Sequence, residues 1–226
     1  MLGHMLASTL SGVYTAHTPD MTAARVWVSA GPRASYPAAM AHDWLPTALL
    51  GVMRRSVQMH DDVRGSFGEI WRASSTATLT AESFVQANLS RSEEGVLRGV
   101  HFHLRQKDMW VVLEGRAHVC LVDLRDRLAG GSTPPLAVAE VYEPGDAVLI
   151  PEGVAHGFWA LDPVSLLYLV TNEYDGTDEH GFAWNDPDAA AEWPAGVPTL
   201  SERDAAAPSL AEAIEAAQRL AQISSR

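Results

Sequence analysis

The sequence predicts an all-β fold, and three observations support this class. From about residue 46 onward, short runs alternate apolar and polar residues, which is the period of a strand with one buried face. Turn-forming residues interrupt these runs at short intervals, as at Glu143–Asp146 and Pro151–Gly153. Helical period occurs in one segment, Leu210–Leu220, whose apolar residues fall on one face. We therefore expect a sandwich or barrel followed by a short C-terminal helical segment.

The strands are expected in chain order, each bounded by turn residues. They are Phe67–Arg72, Trp110–Leu113, Ala117–Leu124, Ala137–Tyr142, Ala147–Ile150, Ala155–Ala160 and Ser165–Asn172. The segment Asp123–Pro135 is polar and rich in Gly and Pro, so it is predicted to be a loop. Residues 1–45 show little periodicity and predict a loosely ordered N-terminal extension, which precedes a single domain at 46–226.

Composition disfavours several classes of function. The 226 residues are 47% hydrophobic and 19% charged, as in folded proteins. A formal net charge of −12 disfavours a nucleic-acid partner, although a few arginines can still bind a small diphosphate. No apolar run reaches the roughly 20 residues of a membrane span, and no signal peptide is evident, so a cytoplasmic protein without a membrane partner is expected. The single cysteine, Cys120, lies in an apolar run and is predicted to be a buried, inert thiol.

Two histidines stand two residues apart, at His101 and His103, and on a strand such residues face the same way. They belong to a spaced pattern that resembles the cupin superfamily, whose fold is a jelly-roll β-barrel. Its first part reads Gly95, His101, His103, Asp108 and Gly115, and its second part reads Gly145, Pro151, Gly153 and His156. One open interpretation is a metal-dependent cupin enzyme, a dioxygenase or isomerase, that holds Fe, Mn, Ni or Zn. Its ligands would be His101, His103, Asp108 and His156.

A narrower resemblance covers about two-thirds of the chain. Segments at 62–69 (DVRGSFGE), 86–90 (QANLS), 95–102 (GVLRGVHF), 150–158 (IPEGVAHGF) and 200–204 (LSERD) are similar, in this order, to the dTDP-4-dehydrorhamnose 3,5-epimerase family. The resemblance implies a homodimer that needs no cofactor. It also implies epimerisation of a dTDP-4-keto-6-deoxyhexose at C3, C5 or both, in the biosynthesis of rhamnose-type sugars or of secondary metabolites.

The resemblance assigns three catalytic roles. His101 maps to the base that removes the proton α to the C4 ketone, and Asp204 maps to the carboxylate that orients it. Tyr168 is expected to be the acid that reprotonates the opposite face. A structural tyrosine with a satisfied hydroxyl is the alternative for Tyr168, and Tyr174 is the nearby alternative acid.

Further residues are implied to bind the substrate. Arg64 and Arg98 map to diphosphate contacts, Gln86 and Asn88 to polar contacts, Phe67 and Glu69 to thymine contacts, Tyr174 to the nucleotide end, and His156 to a further substrate contact. Part of this set comes from the neighbouring subunit in the family. For Arg64, Phe67 and Glu69, an ordinary turn and edge strand is the alternative interpretation.

The chain departs from the family pattern at two positions. The Lys that the family places near the keto oxygen falls on Asp108, while Lys107 is expected to face away and Arg105 is the candidate replacement. His103 stands where the family commonly has Gln. These departures keep open an epimerase that inverts one centre, the metal-dependent cupin, and a non-catalytic cupin that binds a sugar nucleotide.

Overall fold

A computed structural model describes residues 44–224, so the predicted extension at 1–45 lies outside the described residues except for its last two positions. Thirteen strands are assigned in this part of the chain. They are β1 Leu45–Pro46, β2 Met53–Ser56, β3 Met59–Asp62, β4 Gly65–Gly68, β5 Gln86–Ser92, β6 Leu97–Phe102, β7 Asp108–Glu114, β8 Ala117–Asp123, β9 Leu136–Tyr142, β10 Asp146–Ile150, β11 Val154–Ala160, β12 Val164–Val170 and β13 His180–Gly181. The helices are α1 Ala73–Thr76, α2 Arg125–Leu128, α3 Glu202–Ala205 and α4 Leu210–Ser224, with a 3-10 turn at Pro187–Ala189.

Eleven of these strands form two antiparallel sheets that face each other as a jelly roll. One sheet has six strands in the order β1-β2-β10-β7-β12-β5, and the other has five in the order β13-β6-β11-β8-β9. The prediction of an all-β jelly roll is therefore confirmed. Two expected boundaries differ: the strand expected at Phe67–Arg72 is β4, Gly65–Gly68, and the loop Asp123–Pro135 contains the single helical turn α2, which is too short to show a helical period.

The core between the sheets comes from alternate residues of the strands. Trp110 and Val112 on β7 pack against Val119 and Leu121 on β8 and against Phe158 on β11. The intervening residues are buried as well, because both outer faces of the sandwich are covered. β10 and β11 consequently read as nearly continuous apolar runs rather than alternating ones.

The outer face of the five-stranded sheet is covered by helix α4. Leu210, Ile214 and Ala217 are buried in one cluster with Phe102 and Cys120. This confirms the predicted helix and the inert cysteine, since burial raises the pKa of the Cys120 thiol to about 12. Leu220 differs from the prediction because it is 47% exposed, beyond the packed part of the helix. No helix in the described range, 44–224, is long and apolar enough to cross a membrane.

Strands β3 and β4 form a separate two-stranded hairpin. Asp62 pairs with Gly65, so Val63 and Arg64 make a two-residue loop. The hairpin is solvent-exposed in this chain: Phe67 is 72% exposed, and Val63 is fully exposed. A large apolar side chain displayed on a two-stranded ribbon points to a surface that contacts something else.

Candidate active site

A cavity of about 650 Å³ opens between the two sheets and collects most of the predicted site residues. The five-stranded sheet contributes Arg98, His101 and His156. The six-stranded sheet contributes Gln86, Asn88 and Tyr168, and the loops and α3 add Tyr174 and Asp204. His103 and Asp108 also line this cavity, as the two-residue spacing of the histidines predicted for His103.

His101 and Asp204 form a hydrogen-bonded pair at the cavity wall, with His101 Nε2 at 2.8 Å from Asp204 Oδ1. Ser201 caps α3 and accepts a hydrogen bond from the Asp204 backbone N–H at 3.1 Å, which holds the backbone that carries this carboxylate. Burial raises the pKa of the Asp204 carboxyl, but the hydrogen bond and charge of His101 lower it more, so the net pKa is below its ordinary value. Asp204 is therefore an ionised, buried partner for the imidazole.

The tautomer of His101 follows from its neighbours. Arg203 Nη2 also lies 2.8 Å from His101 Nε2, but a guanidinium only donates and a carboxylate only accepts, so one nitrogen cannot satisfy both. We assign the proton of Nε2 to the bond with the buried Asp204, because Arg203 already donates to Glu179 Oε1 at 2.6 Å. The His101 Nδ1 atom then carries the lone pair, and it has no hydrogen-bond partner among the described residues.

Tyr168 faces the cavity from the opposite sheet. It lies on β12, between Asn88 on β5 and Trp110 on β7 in the strand register, whereas His101 lies on β6 of the other sheet. Burial and then the negative charges of Asp108 and Glu179 raise the pKa of the Tyr168 phenol. The phenol therefore holds its proton at neutral pH, as a proton donor must.

One part of the cavity is rich in arginine despite the acidic chain. Arg91, Arg98 and Arg203 all line it. Arg98 donates to Ser92 Oγ at 2.8 Å and to the Arg91 carbonyl at 3.0 Å, so its guanidinium is held in place. The guanidinium groups of Arg98 and Arg203 suit an anionic ligand with several oxygens, such as a diphosphate.

His103, Asp108 and His156 form a second cluster at the cavity. One ligand atom of each lies within 4.8 Å of the others. Three of the four ligands in the metal-cupin interpretation therefore lie together, whereas His101 is turned to Asp204. Burial lowers the pKa of His156 to about 4, although the charge of Asp108 opposes this, so His156 is neutral at pH 7.

Four predicted substrate contacts lie outside the cavity in this chain. Arg64 pairs with Asp62 on the exposed hairpin, Glu69 pairs with Arg72 and Phe67 is exposed. Arg105 donates to Thr177 Oγ1 at 2.8 Å and does not line the cavity, so its expected role as the replacement for the missing Lys gains no support from this geometry. Lys107 contacts Glu82 and Glu152 and faces away, as predicted.

Sequence reasoning missed three charged cavity residues. Arg203 and Glu179 pair with each other beside His101, and Arg91 lies on β5. The position of Arg203 next to Asp204 was an available signal, because both belong to the short segment at 200–204. Arg91 gave no signal, since it alternates onto the exposed face of its strand.

Comparisons with known proteins agree with this geometry. A sequence model described as dTDP-4-dehydrorhamnose 3,5-epimerase matches residues 46–212. A dTDP-4-dehydrorhamnose 3-epimerase of Streptomyces niveus is 35% identical over 181 residues, which cover 76% of this chain and 85% of that protein. The spore coat polysaccharide biosynthesis protein SpsL of Bacillus subtilis is 36% identical over 152 residues, which cover 63% of this chain and 95% of that protein.

A solved structure extends the comparison to the fold. The crystal structure of NovW, a 4-keto-6-deoxy sugar epimerase from the novobiocin biosynthetic gene cluster of Streptomyces spheroides, matches with a TM-score of 0.68 and 34% identity. The match covers 77% of this chain and 90% of that chain. The sequence match, the jelly roll and the His–Asp pair lead to one assignment: the chain belongs to the dTDP-4-dehydrorhamnose 3,5-epimerase family.

Proposed function

We propose that the chain epimerises a dTDP-4-keto-6-deoxyhexose at C3, C5 or both, in deoxysugar biosynthesis. One observation carries the proposal: His101 and Tyr168 line the cavity from different sheets. His101 lies on the five-stranded sheet and is hydrogen-bonded to Asp204, and Tyr168 lies on the six-stranded sheet. Inversion of a carbon needs a base on one face and an acid on the other. A cavity with its two proton-transfer groups on facing walls meets this requirement.

The reaction uses two proton transfers. The Nδ1 lone pair of His101 takes the proton from the carbon α to the C4 ketone, and the electron pair of the broken C–H bond moves into the enolate. Asp204 stabilises the imidazolium that results, because a carboxylate at 2.8 Å favours the charged ring. Tyr168 then gives its proton to the opposite face of the same carbon. The His101 imidazolium releases its proton to solvent and the phenolate takes one up, which restores both groups.

The nucleotide is held by the cationic and amide groups of the cavity. Arg98 and Arg203 bind the diphosphate, as their fixed guanidinium groups suit its oxygens. Gln86 donates to Asn88 Oδ1 at 2.9 Å and accepts from the Tyr174 backbone N–H at 3.0 Å, which orders this wall of the cavity. His156, which lines the same cavity, is a further substrate contact in this proposal.

A homodimer completes the site in this proposal. β5 is an edge strand of the six-stranded sheet and carries Gln86 and Asn88, while the β3–β4 hairpin displays Phe67, Arg64 and Glu69. An exposed edge strand and an exposed hairpin with a large apolar residue favour a dimer in which the two copies exchange these elements. The hairpin of one copy would then supply the thymine contacts of the other. Sedimentation equilibrium should give twice the chain mass, and a monomer at micromolar concentration would contradict the proposed dimer.

A cytoplasmic location belongs to the same proposal, since a single buried cysteine requires no oxidising compartment.

The test is isotope exchange. Incubation of the protein with dTDP-4-keto-6-deoxyglucose in D₂O should place deuterium at C3, C5 or both, and mass spectrometry with proton NMR locates it. Exchange at one carbon identifies a single-centre epimerase. Tight binding of the nucleotide sugar without any exchange contradicts the proposal and favours a non-catalytic binding protein.

A further inference from the structure

The cluster of His103, Asp108 and His156 has no part in the proton transfers proposed above, yet it is deeply buried. The three side chains are 11%, 4% and 5% exposed. The Nε2 atom of each histidine faces the Asp108 carboxylate at 3.8 Å, one at each oxygen. A distance of 3.8 Å is too long for a hydrogen bond. Two imidazoles and a carboxylate thus converge without bonding to one another.

The hydrogen bonds behind the two imidazoles fix which nitrogen faces the centre. His103 Nδ1 lies 2.6 Å from the Asp178 carbonyl, and His156 Nδ1 lies 3.1 Å from the Val154 carbonyl. A carbonyl only accepts, so each Nδ1 carries the proton and each Nε2 presents a lone pair towards Asp108. Histidines that bind metals are commonly oriented by the same kind of outer hydrogen bond.

Among the described residues, Asp108 has no lysine or arginine beside it. Its oxygens accept from Gln106 Nε2 at 2.8 Å and from Trp110 Nε1 at 3.2 Å, and both donors are neutral. Within residues 44–224, no Lys or Arg nitrogen lies within 4 Å of it, and neighbouring Lys107 is already paired with Glu82 and Glu152. A buried carboxylate is costly without a positive charge beside it.

The separations fit one ion between the ligands. Nitrogen and oxygen ligands lie about 2.0–2.2 Å from a transition-metal ion, so two of them are about 3.0 Å apart at a right angle and about 4.2 Å apart when opposite. Each histidine Nε2 lies 3.8 Å from its nearest Asp108 oxygen, which falls between these limits. The two histidines face different oxygens of Asp108, and one ligand atom of each side chain lies within 4.8 Å of the others, so the side chains close in slightly around an ion. Three protein ligands leave further coordination positions, and the cavity is the space into which they open.

We propose that His103, Asp108 and His156 form a binding site for a divalent first-row transition-metal ion, beside the proposed base but separate from it. A two-histidine, one-carboxylate set suits Fe²⁺, Mn²⁺, Co²⁺, Ni²⁺ and Zn²⁺. His101 is not part of this site, because the ligand atoms that lie within 4.8 Å of one another belong to His103, Asp108 and His156. A bound ion supplies a Lewis-acidic positive charge at this wall of the cavity.

Titration with Co²⁺ tests the site on the full chain without a polyhistidine tag, after removal of metal with a chelator. We expect one Co²⁺ per chain, visible d–d absorption that saturates at one equivalent, and displacement by Zn²⁺. Asp108→Asn should weaken Co²⁺ binding on the order of 100-fold or more, since a lost ligand costs at least as much as a lost outer hydrogen bond. His101→Asn is the matched control: it removes an imidazole from the same cavity and should leave Co²⁺ affinity within about three-fold, because the ring is not a ligand.

A second variant and a direct measurement guard against misfolding of Asp108→Asn. His103→Gln should give the same loss, and anomalous scattering from a Co²⁺-soaked crystal of the unchanged chain should peak between the three side chains. Absence of stoichiometric Co²⁺ binding, a Co²⁺ affinity in both Asp108→Asn and His103→Gln equal to that of the unchanged chain, or loss of binding in His101→Asn would each overturn the assignment. Deuterium exchange is measured separately, so a failed metal site and a failed epimerase proposal give different results.

Discussion

The Nε2 atom of His101 lies 2.8 Å from Asp204 Oδ1, although 103 residues separate the two in the chain. Their approach depends on the segment before α3, which crosses beside β6. Val96 forms a parallel bridge with Thr199, and the Leu97 N–H donates to the Thr199 carbonyl at 3.0 Å. The C-terminal segment is therefore part of the cavity wall, and its anchoring determines whether the base is oriented.

We expect His101→Asn to abolish deuterium exchange into the nucleotide sugar. General-base catalysis contributes roughly 100- to 10,000-fold, so exchange should fall by at least about 100-fold while dTDP binding persists. The measurement is the initial exchange rate in D₂O, followed by mass spectrometry. His118→Asn is the matched control, because His118 contacts the Glu192 carbonyl and does not line the cavity. Exchange at an undiminished rate in His101→Asn would remove the base assignment.

The stabilisation that Asp204 provides should disappear in acid. Its pKa is lowered in the folded protein because the hydrogen bond and charge of His101 outweigh the effect of burial. A carboxyl with a depressed folded pKa stabilises the fold above its unfolded pKa of about 4, and this contribution is lost as the pH falls through the folded value. The free energy of unfolding of Asp204→Asn, from urea titrations, should lie below that of the unchanged chain near pH 7, and the difference should shrink as the pH falls below about 4. A difference that does not change with pH contradicts the ionised pair.

Much of the fold could be predicted from sequence, because the relevant signals are local. Turn residues such as Glu143–Asp146 end strands wherever they occur, and the apolar face of α4 follows from spacing alone. The common facing of His101 and His103 also follows from strand geometry. Alternation of apolar and polar residues could not predict strands that are covered on both faces. Every residue of β11 is buried, so this strand shows no alternation.

The site could be predicted only in part, because its pairs join distant segments. The pairing of His101 with Asp204 entered through a family resemblance, and no spacing rule would supply it. Arg105 stays a prediction as the replacement for a missing cation; its partners Thr177 and Asp178 lie on a loop whose position the sequence does not reveal. The convergence of Asp108 with His156 likewise depends on how β7 and β11, from opposite sheets, meet at the cavity.

If Arg98 contacts the diphosphate, replacing its guanidinium by a neutral group should lower the affinity for the nucleotide. Charge-assisted hydrogen bonds contribute about 1.5–3 kcal/mol, so Arg98→Gln should weaken dTDP binding by roughly 10- to 150-fold in calorimetry. Arg116→Gln is the control, because Arg116 pairs with Asp162 away from the cavity. Equal affinities of the two variants would exclude Arg98 from the diphosphate site.

Replacement of Tyr168 by Phe should separate exchange from inversion. Without the phenol, the enolate can still regain a proton from the His101 imidazolium on the original face, so deuterium enters without a change of configuration. We expect inversion to fall by about 100-fold or more and exchange to fall much less. Tyr174→Phe is the matched control: Tyr174 also lines the cavity, but it is 67% exposed and lies at the nucleotide end in our proposal. If Tyr168→Phe inverts the sugar at the original rate while Tyr174→Phe does not, Tyr174 is the acid that reprotonates the carbon, and the assignment of this role to Tyr168 is wrong.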